Sequence, residues 1–404
     1  MSETLTPANE AAIAASIAAA AAAGEPLLVR GNATKLGMLR PVQAARCLSS
    51  ASYTGITLYS PKELIISARA GTPLPEIETA LAAHGQHLIA EPPDLTHLLG
   101  TSGTQTIGGV VATNLSGPRR VAWGAMRDHV MGIRAVNGAG ELIHSGGRVL
   151  KNVTGLDLCK LLTGSHGTLG VITEVTLKVL PAPEATGTIV IPGLDAEQGA
   201  AALSAGLGSP YGVSAAAWIP EAALVPALVH ALGRAPESAT LLRIEDFAAS
   251  VAYRTDRLRT ELAPFGPADI IDDAASRAVW RVVRDAQPLP ALASDAVWRL
   301  SVRPSAGAGV LRAGNDAGAR GFLDWGGGLV WLAGPADSAT HHAIEAAARA
   351  AGGTWTLLRA PEALRAAVHV VPPEAEPLAR ITRRVKAAFD PRGILNPGRL
   401  YAGF

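Results

Sequence analysis

Three glycine-rich loops, each entered from a β-rich run, limit what the first half of this chain can fold into: "RGNATKLG" (30–37), "GTQTIGGVVATNLSG" (103–117) and "GSHGTLGVIT" (164–173). Bare glycine backbone lets N–H groups approach an anion or a flat ring closely, and a helix opening just after such a loop adds its positive end. One loop of this kind is as readily a plain turn. Three in succession predict a cleft for an extended, phosphate-bearing ligand. The chain has neither a G-x-G-x-x-G opening a βαβ unit nor a G-x-x-x-x-G-K-[ST], so the Rossmann and Walker routes to phosphate are absent.

Between the loops, "PLLVRG", "GITLYS", "ELIISARAG", "QHLIAEPP", "RDHVMGIRAVNGAGELI" and "VITEVTLKVLPAP" read as strands that end in turns. "NGAG" (137–140) is a hairpin signal, because Asn and Gly accept positive φ. "PLPEIETALAAHG" sets Leu74, Ile77 and Leu81 at helical spacing and stops at Gly85. This part is therefore mixed α+β, and the prolines of "VLPAPEATG" put a boundary near Pro183. Strands and helices then alternate more regularly. The stretch from "VWRLSVRP" to "TWTLLRA" has the β-α-β-β-α-β order of a ferredoxin-like sheet backed by helices. A last helix, halted at Asp390–Pro391, carries an apolar face of Leu378, Ile381, Val385 and Phe389 that predicts burial. The expected domains are 1–183, 184–374 and a segment 375–404 that returns to the first.

With 404 residues, 48% hydrophobic and 17% charged, and a formal charge of +1, the chain sits in the soluble globular class without a general nucleic-acid surface. Its two cysteines, Cys47 and Cys159, are too few for a disulfide framework, an iron–sulfur cluster or a zinc ribbon, which fits a reducing cytoplasm. The alanine-rich N-terminus "MSETLTPANEAAIAASIAAAAAAG" has acids and no Lys or Arg before its apolar stretch, so it reads as a helix rather than a leader. No segment reads as a membrane span.

"VRGNATKLG", "RAGTPLPEIETAL", "TIGGVVATNLSGPRR", "RDHVMGIRAVNGAGELIHSGG", "KNVTGLDLCKLLTGSHGTLGVITEVTLKVLPAP" and "FDPRGILNPGRL", in that order, resemble the vanillyl-alcohol-oxidase type of FAD-binding family. The resemblance covers about residues 25–183 and the last 25. It implies an α+β fold: a two-subdomain FAD-binding module with an antiparallel-sheet cap of ferredoxin-like repeats. It also implies noncovalent FAD, since no histidine lies between Arg30 and Gly37, where some relatives attach the flavin. Gly31, Asn32, Ala33, Thr34 and Lys35 match the loop that wraps the pyrophosphate, with "GNAT" where the family usually has three glycines. Thr106, Ile107, Gly108 and Gly109 match the turn along the pyrophosphate, and Thr113, Asn114, Ser116 and Gly117 the stretch past the ribityl chain and ring. Gly124 with Arg127 and Asp128 matches a following "G…RD" element. Gly167, Gly170, Val171 and Ile172 match the wall near the adenine, beside His166, where many relatives are acidic. Asn396 and Arg399 match a terminal turn that reaches back towards the flavin.

"SGPRR" and "KNVTGLDL" look like the FAD-binding subunits of complexes that oxidise a small 2-hydroxy acid, glycolate, to glyoxylate. That resemblance implies a catalytic flavoprotein subunit and an iron–sulfur subunit as partners, in the cytoplasm or at the inner membrane face through them. A stand-alone FAD oxidoreductase acting on another 2-hydroxy acid or a sugar lactone is the alternative; a non-catalytic assembly subunit is another. A 2-hydroxy acid calls for an arginine fork on its carboxylate. Arg119 and Arg120 beside the second loop, and Arg299 and Arg303 on a cap strand, are candidates, with Arg119 put forward. No base is assigned. None of the ten histidines lies in the H-x-G-D-G-N-type metal motif of related dehydrogenases, so no metal is expected. The neighbours His341 and His342 are expected at the surface, and His129 facing outward. Trp218, Trp280, Trp298, Trp325, Trp331 and Trp355 fall in the cap, as core or as an interface patch.

Overall fold

The computed structural model describes residues 3–147 and 155–403; residues 151–154 of the "KNVTGLDL" motif lie outside them. β1 (Glu3–Leu5) leads into α1 (Glu10–Ala23), which Asn9 caps by accepting the Ala12 N–H and which ends at Gly24. With β2 (Leu27–Arg30) and β3 (Arg46–Ser49), β1 forms a parallel sheet in the order β1-β3-β2. The helix turns Ile13, Ile17 and Ala20 onto Leu27 and Leu48, and the same cluster takes in Ile394 and Leu395 from the far end of the sequence.

A second sheet is built from β4 (Ile56–Ser60), β5 (Ile65–Arg69), β6 (Gln86–Leu88), β7 (Val130–Val136), β8 (Leu142–Gly146) and β9 (Val171–Pro181). Its order is β4-β5-β9-β7-β8, with β6 paired to the end of β9. The β7–β8 hairpin turns where Asn137 Oδ1 accepts the N–H groups of Ala139 and Glu141. One face is covered by α2 (Leu74–Ala82), which buries Leu74, Ile77 and Leu81, and by α4 (Ile107–Thr113). The short helices α3 (Thr96–Leu99), α5 (Arg120–Trp123), α6 (Met126–His129) and α7 (Leu158–Leu162) fill the connections.

After Pro181 the chain enters another sheet. The elements β10 (Ala185–Pro192), α8 (Ala196–Leu207), β11 (Val213–Pro220), α9 (Pro226–Leu232), β12 (Ser238–Asp246), α10 (Ala248–Glu261) and β13 (Asp269–Ile271) form its first half. Helix α11 (Asp273–Arg284) links these to β14 (Ala296–Ser301), α12 (Gly307–Asp316), β15 (Arg320–Asp324), β16 (Leu329–Gly334), α13 (Ser338–Ala350) and β17 (Thr354–Arg359). The eight strands run β13-β10-β12-β11-β15-β16-β14-β17. Each half has ferredoxin-like strand order, and the two join edge to edge where Trp218 pairs with Leu323. The first repeat is disguised in the sequence by α9, inserted between its second and third strands. All six cap tryptophans lie in the core: Trp218 sits over Gly199, where a Cβ would strike its ring. They are not an interface patch.

The chain returns through α14 (Glu362–Ala367) and α15 (Glu376–Phe389). Here one expectation fails in part: Leu378 and Ile381 are 52% and 56% exposed, whereas Val385 is half-buried and Phe389 packs against the core of the second sheet. The buried edge of α15 is instead Lys386, whose Nζ donates to Thr168 O, Leu395 O and Asp390 Oδ2. On a helix of 3.6 residues per turn, Lys386 lies roughly 100° from the centre of the Leu378–Phe389 stripe, so anchoring it leaves Ile381, on the side of the stripe farthest from it, and Leu378, about two turns before it, turned outward.

Candidate functional site

The three glycine loops meet at one cleft between the two N-terminal sheets, with a volume of about 770 Å³ counted to its open mouth. Its floor is set by close backbone contacts. A Cβ at Gly108 would lie 2.6 Å from Ala70 Cβ, and one at Gly31 would run into Thr106 Oγ1, so both loops lie flush only without side chains there. Thr106 caps α4 by accepting the Gly109 N–H, and Asn32 Nδ2 donates to Thr104 O, tying the first loop to the second. The third loop hangs from the end of α4, with Gly164 N–H donating to Val111 O and His166 N–H to Ala112 O.

The terminal turn closes the cleft from behind. Asn396 Oδ1 accepts the Val29 N–H at 2.8 Å and its Nδ2 donates to His166 O at 2.8 Å, joining the strand before the first loop to the third loop. Arg399 donates to the carbonyls of Lys35, Leu36 and Arg40 and so holds the first loop in shape.

Gly31, Asn32, Ala33, Thr34 and Lys35 all line the cleft. So do Thr106, Gly108, Gly109 and Thr113 from the second loop, Gly167, Gly170, Val171 and Ile172 from the third, and Asn396 and Arg399. Ala33 adopts φ +61, so the residue standing for a family glycine takes the left-handed conformation that glycine favours. The remaining candidates do not line it. Ile107 is buried under the sheet. Asn114 and Ser116 accept the N–H groups of Arg127 and Met126, and Asp128 that of Ala125. Asn114, Ser116, Gly124, Arg127 and Asp128 thus brace the chain behind the second loop, and Gly117 lies against the cap.

The charge in the cleft has one sign. Arg30, Lys35 and Arg399 line it together with no Asp or Glu. Burial holds Lys35 down to about 8, and its Nζ donates to the neutral Gln105 Oε1 at 2.8 Å. Burial, with the charge of Arg365, brings Arg399 to about 10. Arg30 Nε is buried without an acceptor. His166, where relatives are acidic, is pushed by burial to about 3 and stays neutral. A cleft of small residues and cations, lined by no carboxylate, fits a pyrophosphate. Sequence reasoning passed over Arg30 and Ser50; Arg30 could have been found as the cation ending β2 at the first loop, whereas Ser50 carries no signal.

Arg119 is not free to clamp a substrate. Its Nε and Nη2 donate to Glu245 at 3.1 and 2.6 Å, and Glu245 also accepts from Ser214. Arg243 meets Glu91 with both terminal nitrogens at 3.0 Å. Burial raises the Glu245 carboxyl, but Arg243 and Arg119 outweigh it and hold it at about 2. These four charges tie the N-terminal part to the cap, so Arg119 is a structural ion-pair partner. His129 is buried rather than outward. His341 is also fully buried, its Nδ1 accepting the Trp298 Nε1–H at 3.1 Å, while His342 is exposed. Among the described residues no three His, Cys, Asp or Glu side chains are grouped to hold a metal ion.

Fold and cleft together define an FAD-binding flavoprotein module of the vanillyl-alcohol-oxidase type. The FAD binding domain family model matches residues 2–146, and that of the C-terminal domain of FAD linked oxidases matches 373–400. The chain is 33% identical to the glycolate oxidase subunit GlcE of Escherichia coli over 378 residues, 93% of either chain, and it belongs to that subunit's family. It is also 32% identical over 187 residues to a D-lactate dehydrogenase of Archaeoglobus fulgidus, covering 46% of this chain and 40% of that one. The glycolate oxidase subunit GlcD of Bacillus subtilis is 31% identical over 166 residues, 41% of this chain and 34% of that one. The fold matches a solved 4-ethylphenol oxidase from Gulosibacter chungangensis with a TM-score of 0.70 at 14% identity, over 99% of this chain and 89% of that one. An alkyldihydroxyacetonephosphate synthase gives 0.68 at 16% identity, over 98% of this chain and 75% of that one.

Proposed function

We propose that this chain is the FAD-holding subunit of a complex that oxidises glycolate to glyoxylate. Residues 1–183 and 375–404 hold the cofactor and 184–374 cover it. The observation that carries this reading is the cleft: three cationic side chains and no carboxylate around close-packed glycine loops, in a GlcE-family chain. The loop Gly31 to Lys35, with Thr106, Gly108 and Gly109, holds the pyrophosphate. Gly167, Gly170, Val171 and Ile172 form the adenine side, and Thr113 to Gly117 lead to the ring side. Bound FAD supplies the two-electron acceptor for a substrate C–H. Lys35 and Arg30 offset the phosphate charge, and Arg399 keeps the first loop in register.

Two cysteines cannot ligate an iron–sulfur cluster, so electrons leave through partners: a second flavoprotein subunit and an iron–sulfur subunit. Among the described residues no helix is long and apolar enough to cross a membrane, and any placement at the inner membrane face comes through those partners. Purification from the native host tests this. The expected result is a visible flavin spectrum, co-purifying partner subunits, and bleaching by glycolate in the complex. Flavin-bound chain without partners, unbleached by glycolate even after candidate subunits are added, would overturn it.

A further inference from the structure

Arg299, on β14, is a cation without an anion. Its guanidinium carbon lies 4.7 Å from the ring centroid of Trp325 and 5.7 Å from that of Trp331, while its Nη2 is buried and makes no hydrogen bond. Arg120, in the first turn of α5, stacks on the same Trp325 ring at 4.5 Å. Two positive groups, one from each side of the domain junction, thus share one indole. Among the described residues neither guanidinium has a carboxylate within ion-pair distance.

The acids nearby are otherwise engaged: Asp128, whose charge acts on Arg120, accepts the Ala125 N–H. Glu91 and Glu245 are held by Arg243 and Arg119. Asp324 Oδ1 accepts the Trp325 N–H at 2.7 Å, and burial pushes that carboxyl up to about 7, so it is a poor counter-charge. Indole faces attract each cation, but they do nothing for the repulsion between the two. Burial and the charge of Arg120 accordingly lower Arg299 to about 10. Both residues are half-buried, with Arg299 Nη2 shut away from solvent and Arg120 the more open of the two, so an anion would reach the pair from the Arg120 side.

Position decides which anion fits. Trp325 Nε1–H donates to Gly117 O at 3.0 Å, at the end of the second glycine loop and three residues before Arg120. We propose that Arg120 and Arg299 form a two-sided binding site for the carboxylate of a small organic acid, built where the cap meets the N-terminal part. A guanidinium fork takes two oxygens of one anion side by side, and a carboxylate presents its two on a single carbon, small enough to sit between the two forks beside the indole. Assigning that acid as glycolate rests on the function proposed above; the site itself does not.

Calorimetric titration of the FAD-loaded chain with oxalate, a carboxylate that flavin does not oxidise, tests the site, with inorganic phosphate as a second probe. Oxalate is expected to bind, to bind more tightly than phosphate, and to lose at least about tenfold in affinity in Arg120→Gln and in Arg299→Gln with flavin content unchanged. If Arg299→Gln fails to fold, Arg120→Gln, closer to the surface, carries the test. No oxalate binding, equal binding of phosphate, or unchanged affinity in the variants would overturn the site. Oxalate binding lost in the variants, with no glycolate bleaching of the wild-type complex, would leave the site standing and remove the glycolate reading. Glycolate bleaching with an unchanged KM in both variants would do the reverse.

Discussion

Lys35 should make FAD binding take up a proton. Its ammonium is buried, with one neutral acceptor at 2.8 Å and with Asp94 as the opposing charge, and burial lowers it to about 8. An ordinary lysine titrates near 10.4, so in the empty cleft the charged form costs about 3 kcal/mol. The folded value lies below the unfolded one, so that cost is fully present below about pH 8 and shrinks as pH rises towards the unfolded value. A bound pyrophosphate reverses the preference. If it restores an ordinary pKa, FAD affinity is greatest below pH 8 and falls by roughly 30-fold between pH 7 and 9.5. Titration of the apoprotein by flavin fluorescence across that range measures the slope, and calorimetry at pH 8.5 in two buffers of different ionisation enthalpy counts the proton. Lys35→Met should bind FAD about 10- to 100-fold more weakly at pH 7, with a flat pH profile, and its apo form should melt higher than wild type. An unchanged slope in Lys35→Met, or a proton released on binding, would refute the argument.

Removing one partner of the junction network leaves a buried charge alone, so Arg119→Leu or Glu245→Gln should cost about 3–5 kcal/mol in denaturant melts, with the double substitution costing less than the sum. Since Glu245 is held at about 2, its contribution should be full above the ordinary glutamate value of about 4.3 and fall progressively from there to about pH 2, visible as the acid dependence of the wild-type minus Glu245→Gln difference. Asn396→Ala should destabilise by about 1–3 kcal/mol by orphaning the Val29 N–H and His166 O, and should speed FAD loss on dilution, read as recovered flavin fluorescence. Leu378→Ser with Ile381→Ser should move the melting free energy of the isolated chain by less than about 1 kcal/mol, because both side chains are already in solvent.

The parts of the fold that were legible are those with local causes. Gly108 and Gly31 mark loops because Ala70 and the Thr106 side chain lie too close there to admit a Cβ, and Asn137 to Gly140 mark a turn through positive φ and a side-chain acceptor. The second βαββαβ repeat showed its order directly, whereas α9 broke the rhythm of the first. Helix α11 was passed over although its buried Ser276, Val279, Trp280 and Val283 keep helical spacing, because it follows the three-residue strand β13 so closely. What stayed hidden depended on remote partners. Nothing beside Arg119 announces Glu245, 126 residues on, so a fully paired arginine looks in sequence like a free one. The periodicity of α15 defines a stripe but not which stripe is buried; three acceptors around Lys386 settle that, and one of them, Thr168, comes from the third loop.

The bond between Val29 and Asn396 spans 367 residues. The first and third loops are therefore pinned by a turn that leaves the ribosome only after the whole cap. Until then Arg399 cannot hold the carbonyls of Lys35 and Leu36, and the earliest-made wall of the cleft waits longest for its brace. Closing so long a loop is slow compared with forming local helices and hairpins. In order of assembly, then, the nucleotide cradle is finished after the cap although much of it is made before it, which places cofactor loading after that turn has emerged.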